Sequence, residues 1–149
     1  IFPLLIIPVV IYNIMAFGFS GVESIAASEG SPALPALLAQ LQKSMIEIPM
    51  ISGVNWNLAN GDVLLLVGIL FLFIEILKST STGTATILNH GMSMVLFIVC
   101  LIEFLLIPNC ATSVFFILTS MTLLDVLAGV IVTIVSARRD FAVSEGFAG

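Results

Sequence analysis

Long apolar runs alternate with polar connections along this chain. Four runs approach the roughly 20 residues that an α-helix needs to cross a hydrocarbon core about 30 Å thick. They cover residues 2–19, 63–78, 84–107 and 113–137. The pattern therefore predicts an all-α integral membrane protein with four transmembrane helices, folded as a single membrane domain over residues 1–149.

The connections between the last three runs are short. Residues 79–83 join the second run to the third, and residues 108–110 join the third to the fourth. Connections of this length place successive helices side by side and antiparallel. We therefore expect the last three runs to form an up-down-up unit.

The segment between the first two runs, residues 20–62, has a different pattern. Residues 20–35 are rich in Gly, Ser, Glu and Pro, which is typical of a loop. Apolar residues then recur at helical spacing, and they are Leu34, Leu37, Leu38, Leu41, Met45 and Ile48. This spacing predicts an amphipathic helix over about 35–48 that lies in the membrane interface, or else packs on a partner or on the mouth of the bundle. Trp56 follows, just before the second run, which is typical of an interfacial anchor.

Composition and charge agree with a membrane protein. Hydrophobic residues make up 60% of the chain and charged residues only 9%, whereas a soluble domain has about 25% charged residues. Nine acidic residues against four basic ones give a net charge of −5, which argues against nucleic acid as a partner because phosphate binding needs clustered Lys and Arg. The expected partners are membrane lipid and other membrane protein subunits or further copies of the chain.

Basic residues indicate the orientation. Lys78 ends the second run and Arg138 and Arg139 follow the fourth, so three of the four basic residues fall on one side of an up-down-up unit. The positive-inside rule assigns that side to the cytoplasm. We therefore expect both termini in the cytoplasm and residues 20–62 outside it. The sequence contains no Asn-x-Ser/Thr sequon, which favours the bacterial inner membrane.

Three ionisable residues fall in the inner half of the predicted spans. Reflection about residues 79–83 puts Glu75 at almost the depth of His90, and reflection about residues 108–110 puts His90 near Gly129, one turn beyond Asp125. A charge at the bilayer centre costs about 2.5–3.5 kcal/mol on insertion scales, so such residues face the protein and find partners. We expect Glu75, His90 and Asp125 to form an intramembrane polar cluster.

This inner cluster has two interpretations. If it only joins helices, hydroxyls such as that of Thr122 or the His90 imidazole bond the Asp125 carboxyl, and Asp125→Leu weakens the assembly. If it conducts, the carboxylates carry protons or cations. Glu103 points about 140° away from His90 on the third run. It is expected to face the first helix or to lie at a subunit interface, so it interrupts a line of carriers through one subunit.

Motifs of known chemistry are absent from the sequence. There is no HExxH, GxSxG, Walker loop, GxGxxG or CxxC, and Cys100 and Cys110 lack metal-ligand spacing. We predict no catalytic residue, no metal ligand and no cofactor. The favoured function is a small non-catalytic subunit in a homo-oligomer or a larger membrane complex, and the alternative is a component of a proton or cation channel or transporter.

Overall fold

The computed structural model describes residues 2–18, 36–79 and 84–146, and this part of the chain is mostly helical. Its helices are α1 (Ile6–Gly18), α2 (Ala36–Gln42), α3 (Asn60–Ser79), α4 (Thr84–Leu106) and α5 (Ser113–Gly146). A 3-10 turn (Pro108–Cys110) joins α4 to α5, and two strands, β1 (Ser44–Pro49) and β2 (Asn55–Ala59), precede α3.

In the described part of the chain, three helices are long and apolar enough to cross a membrane, and they correspond to the second, third and fourth predicted runs. The apolar segments are Asn60–Ser79, Ile87–Leu106 and Ser113–Val143. α5 has 34 residues, about 51 Å at 1.5 Å per residue, so it extends beyond a hydrocarbon core. α1 is apolar but has only 13 residues, which is short for a complete crossing.

The long helices run up, down and up, with α5 packed against both α3 and α4. A Cβ on Gly61 would lie 3.0 Å from Val114, and one on Gly68 would lie 3.0 Å from Met121, so α3 and α5 begin at the same end. Gly61, Gly68 and Glu75 are seven residues apart and share one face of α3. The two glycines let α5 approach closely, which positions Glu75 in a helix interface.

α1 packs along the same bundle. Its buried residues are Pro8, Val9, Tyr12 and Ala16, and Leu5, just before the helix, is buried on the same side as Val9, Tyr12 and Ala16 by helical spacing. At its start the Leu4 N–H reaches Glu75, near the end of α3. At its other end the Ala16 carbonyl accepts a hydrogen bond from Asn109, in the turn after α4. α1 therefore covers most of the depth that α3 and α4 span.

The segment before α3 corrects the sequence prediction. The helix predicted over 35–48 ends at Gln42, and residues 44–49 form a strand paired with residues 55–59. Gly53, at a φ of 83°, closes the hairpin, and its N–H donates to the Met50 carbonyl at 2.9 Å. The helical stripe misled because residues 45–48 also suit a strand, and the complementary strand lies further along the chain.

α2 packs on the protein rather than along a membrane surface. Leu37 and Leu41 are buried against the rest of the core, and the Asn60 side chain donates to the Gln40 carbonyl at 2.9 Å. Met45 and Ile48, at the end of the predicted stripe, lie on β1 and are exposed, and Leu34, at its start, lies outside the described residues.

Candidate functional site

Glu75 joins three helices at the end of the bundle where α3 ends; the names inner and outer for the two ends follow the orientation predicted from the basic residues. Its side chain is fully buried. The carboxylate accepts hydrogen bonds from the Leu4 N–H, in the turn that leads into α1, at 2.9 Å, and from the Asn89 amide of α4. It also pairs with Lys78, one turn along α3, at 3.3 Å.

The contact with α1 follows from the physics of helix ends. The first N–H groups of a helix have no acceptor within it, and they favour a negative charge nearby. Glu75 supplies both the acceptor and the charge for Leu4. The Glu75 carboxylate therefore fixes the start of α1 against α3 and α4.

Asp125 is placed beside this joint but is not bonded to it. Its side chain is 1% exposed, and both carboxylate oxygens are without a hydrogen-bond partner within the described residues. Glu75, His90 and Lys78 all lie within electrostatic range of it.

Two hydroxyls near Asp125 do not form hydrogen bonds with its carboxyl. Ser93 of α4 lies beside Asp125, but the geometry between them is not that of a hydrogen bond. Thr122, expected to bond Asp125, donates instead to the Thr119 carbonyl at 2.7 Å. Asp125 is thus a buried carboxyl that its own helix leaves unpaired.

His90 packs on α5 instead of bonding an acid. A Cβ on Gly129 would clash with His90 Nδ1, so the missing side chain of Gly129 leaves room for the imidazole. Both His90 nitrogens are buried and unpaired within the described part of the chain. The expected hydrogen bond from His90 to Glu75 or Asp125 is therefore not formed, and Asn89 contacts Glu75 instead. Reflection about a turn gives the depth of a residue but not the direction of its side chain. Adjacent helix residues point about 100° apart, so Asn89 and His90 have nearly the same depth but different neighbours.

A second polar network lies at the other end of the bundle. The Tyr12 hydroxyl donates to the Asn109 carbonyl at 2.9 Å and lies 2.5 Å from the hydroxyl of Thr112. Thr112 also accepts from the Phe115 N–H at 3.2 Å, which is the contact of an N-cap residue at the start of α5. This outer network (Tyr12, Asn13, Glu103, Asn109 and Thr112) ties α1 to α4, to the 3-10 turn and to α5.

Glu103 belongs to the outer network. It accepts a hydrogen bond from the Asn13 amide of α1 at 3.0 Å, so it faces the first helix and lies apart from Glu75 and Asp125. Cys110 lies nearby, and its Sγ is 3.9 Å from the side-chain oxygen (Oδ1) of Asn13. Burial, reinforced by the charge of Glu103, raises the pKa of the Cys110 thiol to about 11.

Trp56, predicted as an interfacial anchor, lies on β2 opposite Ile48. Its side chain is about half exposed. It is therefore placed on the hairpin directly before α3.

Sequence reasoning missed several polar partners. Asn89 and Ser93 are four residues apart on α4, which puts them on one face with the inner cluster. Tyr12 is the single tyrosine of the chain and precedes Asn13 in an otherwise apolar run. Both patterns were available, but the backbone partners, such as the Leu4 N–H, have no signature in the sequence.

No metal site or related protein supplies a function. Among residues 2–18, 36–79 and 84–146, no three His, Cys, Asp or Glu side chains come together to hold a metal ion. Comparison of the chain with models of protein families, with curated proteins and with solved structures gave no match.

Proposed function

We propose that this chain is a small non-catalytic subunit of the bacterial inner membrane, which packs with copies of itself or with other subunits of a membrane complex. The main support for this proposal is that two intramembrane acids are hydrogen-bonded within the subunit. Glu75 and Glu103 are each bonded to α1, so they hold the helices of one subunit together. Large apolar side chains are exposed along α3, α4 and α5, a surface that suits lipid and neighbouring transmembrane helices.

The proposed topology has four spans, with α1 as the first. The contacts of α1 with Glu75 and with Asn109 support this, because they lie at opposite ends of the bundle. Lys78 ends α3 and Arg138 lies in the last part of α5, which runs parallel to α3. The positive-inside rule then puts this end, and both termini, in the cytoplasm.

Cysteine labelling tests the topology. Glu29→Cys, in the loop of residues 20–62, should react with a membrane-impermeant maleimide in intact cells. Labelling that requires lysis would reverse the orientation. A cysteine introduced after the basic pair, at Phe141→Cys, is the matched control and should react only after lysis.

Particle mass tests the subunit role. The chain is extracted directly into nanodiscs from its native membrane, and the mass of the protein in each particle is measured. The proposal expects more than one polypeptide in each particle, either identical copies or additional subunits. A particle that holds a single copy of this chain and nothing else would contradict it.

A second candidate is a proton or cation path through the inner cluster. It is favoured by Asp125 and His90, whose buried polar atoms are unpaired within the described residues. Ionisable groups inside a membrane bundle commonly mark ion or proton pathways. The separate position of Glu103, bonded to Asn13, counts against a continuous line through one subunit.

Flux through liposomes separates the two candidates. Asp125→Asn removes the ability to ionise, so it should abolish proton flux if Asp125 is a carrier. Glu103→Gln is the matched control, because it makes the same change in the outer network. A parent flux that is lost in Asp125→Asn and kept in Glu103→Gln would favour the path. Absence of flux in the parent would favour the subunit.

A further inference from the structure

The hairpin before α3 separates apolar from polar residues between its two faces. Directly opposed residues of antiparallel strands share a face. Ile46 opposes Leu58, Ile48 opposes Trp56, and the Met50 N–H donates to the Val54 carbonyl at 3.0 Å. These six residues form the apolar face of the hairpin: Ile46, Ile48, Met50, Val54, Trp56 and Leu58.

The opposite face is more polar, and the exposed Met45 lies at the bulge between Ser44 and Ile46, outside the regular alternation of the two faces. Glu47 opposes Asn57 and Pro49 opposes Asn55. On the apolar face, only Leu58 at the base is buried, and the other five side chains are 37–67% exposed. Ile51, at the tip of the loop, is fully exposed. The hairpin therefore presents a one-sided apolar surface that the described part of the chain does not cover.

We infer that the apolar face of the hairpin lies in the interfacial region of the lipid bilayer, with Trp56 at its centre. β2 ends at Ala59 and α3 begins at Asn60, so no linker separates the hairpin from the start of a membrane-spanning helix. An isolated two-stranded hairpin is only marginally stable in water. Cover for its apolar face is therefore part of what holds it folded.

The depth follows from the backbone. Both strands of a two-stranded sheet are edge strands, with N–H and C=O groups that need partners. Such edges are not tolerated in the hydrocarbon core, where no water can satisfy them. The headgroup boundary supplies both water and apolar contact, and tryptophan is enriched there.

Size favours lipid over a second protein. Five residues at about 3.4 Å each, on two strands about 4.8 Å apart, make a face of roughly 150–200 Å². A stable protein interface buries about 800 Å² on each partner. The hairpin is also followed directly in the chain by α3, which begins at Asn60 and exposes Leu66 and Ile69. A surface that is small, apolar and followed directly by a membrane span suits the bilayer.

The charge of the hairpin specifies the kind of lipid contact. Glu47 is its charged residue, on the polar face, and the hairpin contains no Lys or Arg. Insertion should then depend on apolar burial and not on anionic lipid. Phosphatidylcholine alone should support it.

The fluorescence of Trp56, the single tryptophan of the chain, tests the inference. The full chain is reconstituted into phosphatidylcholine vesicles that carry a spin label at a shallow or a deep position of the acyl chain. The shallow label should quench Trp56 more strongly than the deep one, and aqueous acrylamide should quench it weakly. Strong acrylamide quenching with no lipid quenching would overturn the inference, as would protection from both quenchers, which would indicate a protein partner.

Two variants separate the faces. Ile48→Asn places an amide opposite Trp56 and should lose most of the quenching by the shallow label. Glu47→Gln changes the adjacent residue, on the polar face, and should leave the quenching unchanged in phosphatidylcholine. Equal losses in both variants, or a requirement for anionic lipid in the parent, would contradict an apolar contact with the bilayer.

Discussion

The two ends of the helix bundle use buried polar groups differently. In the outer network, Tyr12, Thr112 and Asn109 satisfy one another and anchor the end of α1. In the inner cluster, Glu75 is paired, while Asp125 and His90 beside it have no hydrogen-bond partner among the residues that the structure describes. When buried polar groups hydrogen-bond one another, their role in holding the helices together is enough to explain them. Buried groups without partners need another reason, and this makes the inner end the place to look for chemistry.

The largest expected effect is at the paired residue of the inner cluster. Glu75→Leu removes the acceptor of the Leu4 N–H and of the Asn89 amide, so both buried donors are left unsatisfied. We expect a loss of roughly 2–4 kcal/mol in unfolding free energy, from about 1–2 kcal/mol for each lost bond. Denaturant titration in mixed micelles measures it.

Glu75→Gln is the control for that measurement. The amide keeps one oxygen as an acceptor and nearly the same volume, so it should lose clearly less stability than Glu75→Leu. Equal losses in the two variants would show that the charge of Glu75, and not its hydrogen bonds, holds the start of α1.

The next effect tests the contact between α4 and α5. Gly129→Ala puts a Cβ where it clashes with His90 Nδ1, so the imidazole or the helix must move. We expect a loss of about 1–3 kcal/mol, as for other overpacked sites. Gly91→Ala is the control, because nothing lies within 4 Å of a Cβ at Gly91. Unfolding curves that coincide for the two variants would refute the placement of His90 on Gly129.

The outer network should respond more weakly to a single deletion. Tyr12→Phe removes the hydroxyl that donates to the Asn109 carbonyl and contacts Thr112. The expected loss is about 0.5–1.5 kcal/mol, the net value of a typical hydrogen bond. Thermal unfolding measures it, with Thr112→Ser as a control that keeps the hydroxyl. A Tyr12→Phe variant as stable as the parent would mean that this end of α1 is held by packing alone.

Much of the fold was predictable because membrane physics acts over long windows. The three long helices were located to within a few residues at most of their ends, because about 20 apolar residues in succession have few alternatives. α5 is the exception, since it runs on to Gly146 through a segment without proline. The segment of residues 44–59 was not predictable, because pairing between strands is a contact that helical spacing ignores.

The candidate site was predictable in depth but not in detail. Reflection about the turns brought Glu75, Asp125 and His90 to one end of the bundle. It could not show that Asn89, one position before His90, would face Glu75. The rotation of a helix about its axis determines which residue faces Glu75. That rotation is set by packing over the whole interface, for example by the space that Gly129 leaves for His90.

The smallest expected effect is at Asp125, and it reverses an expectation from the sequence. A residue that joined helices would make Asp125→Leu destabilising, but neither carboxylate oxygen has a hydrogen bond to lose within the described residues. A buried polar group without a partner is unfavourable, so replacement by an apolar side chain should change the unfolding free energy by less than about 0.5 kcal/mol, or raise it. The comparison with Glu75→Leu, under the same denaturant, removes effects common to both sites. A loss at Asp125 as large as that at Glu75 would show that the assembled protein supplies a partner for this carboxyl, and the two ends of the bundle would then both be structural.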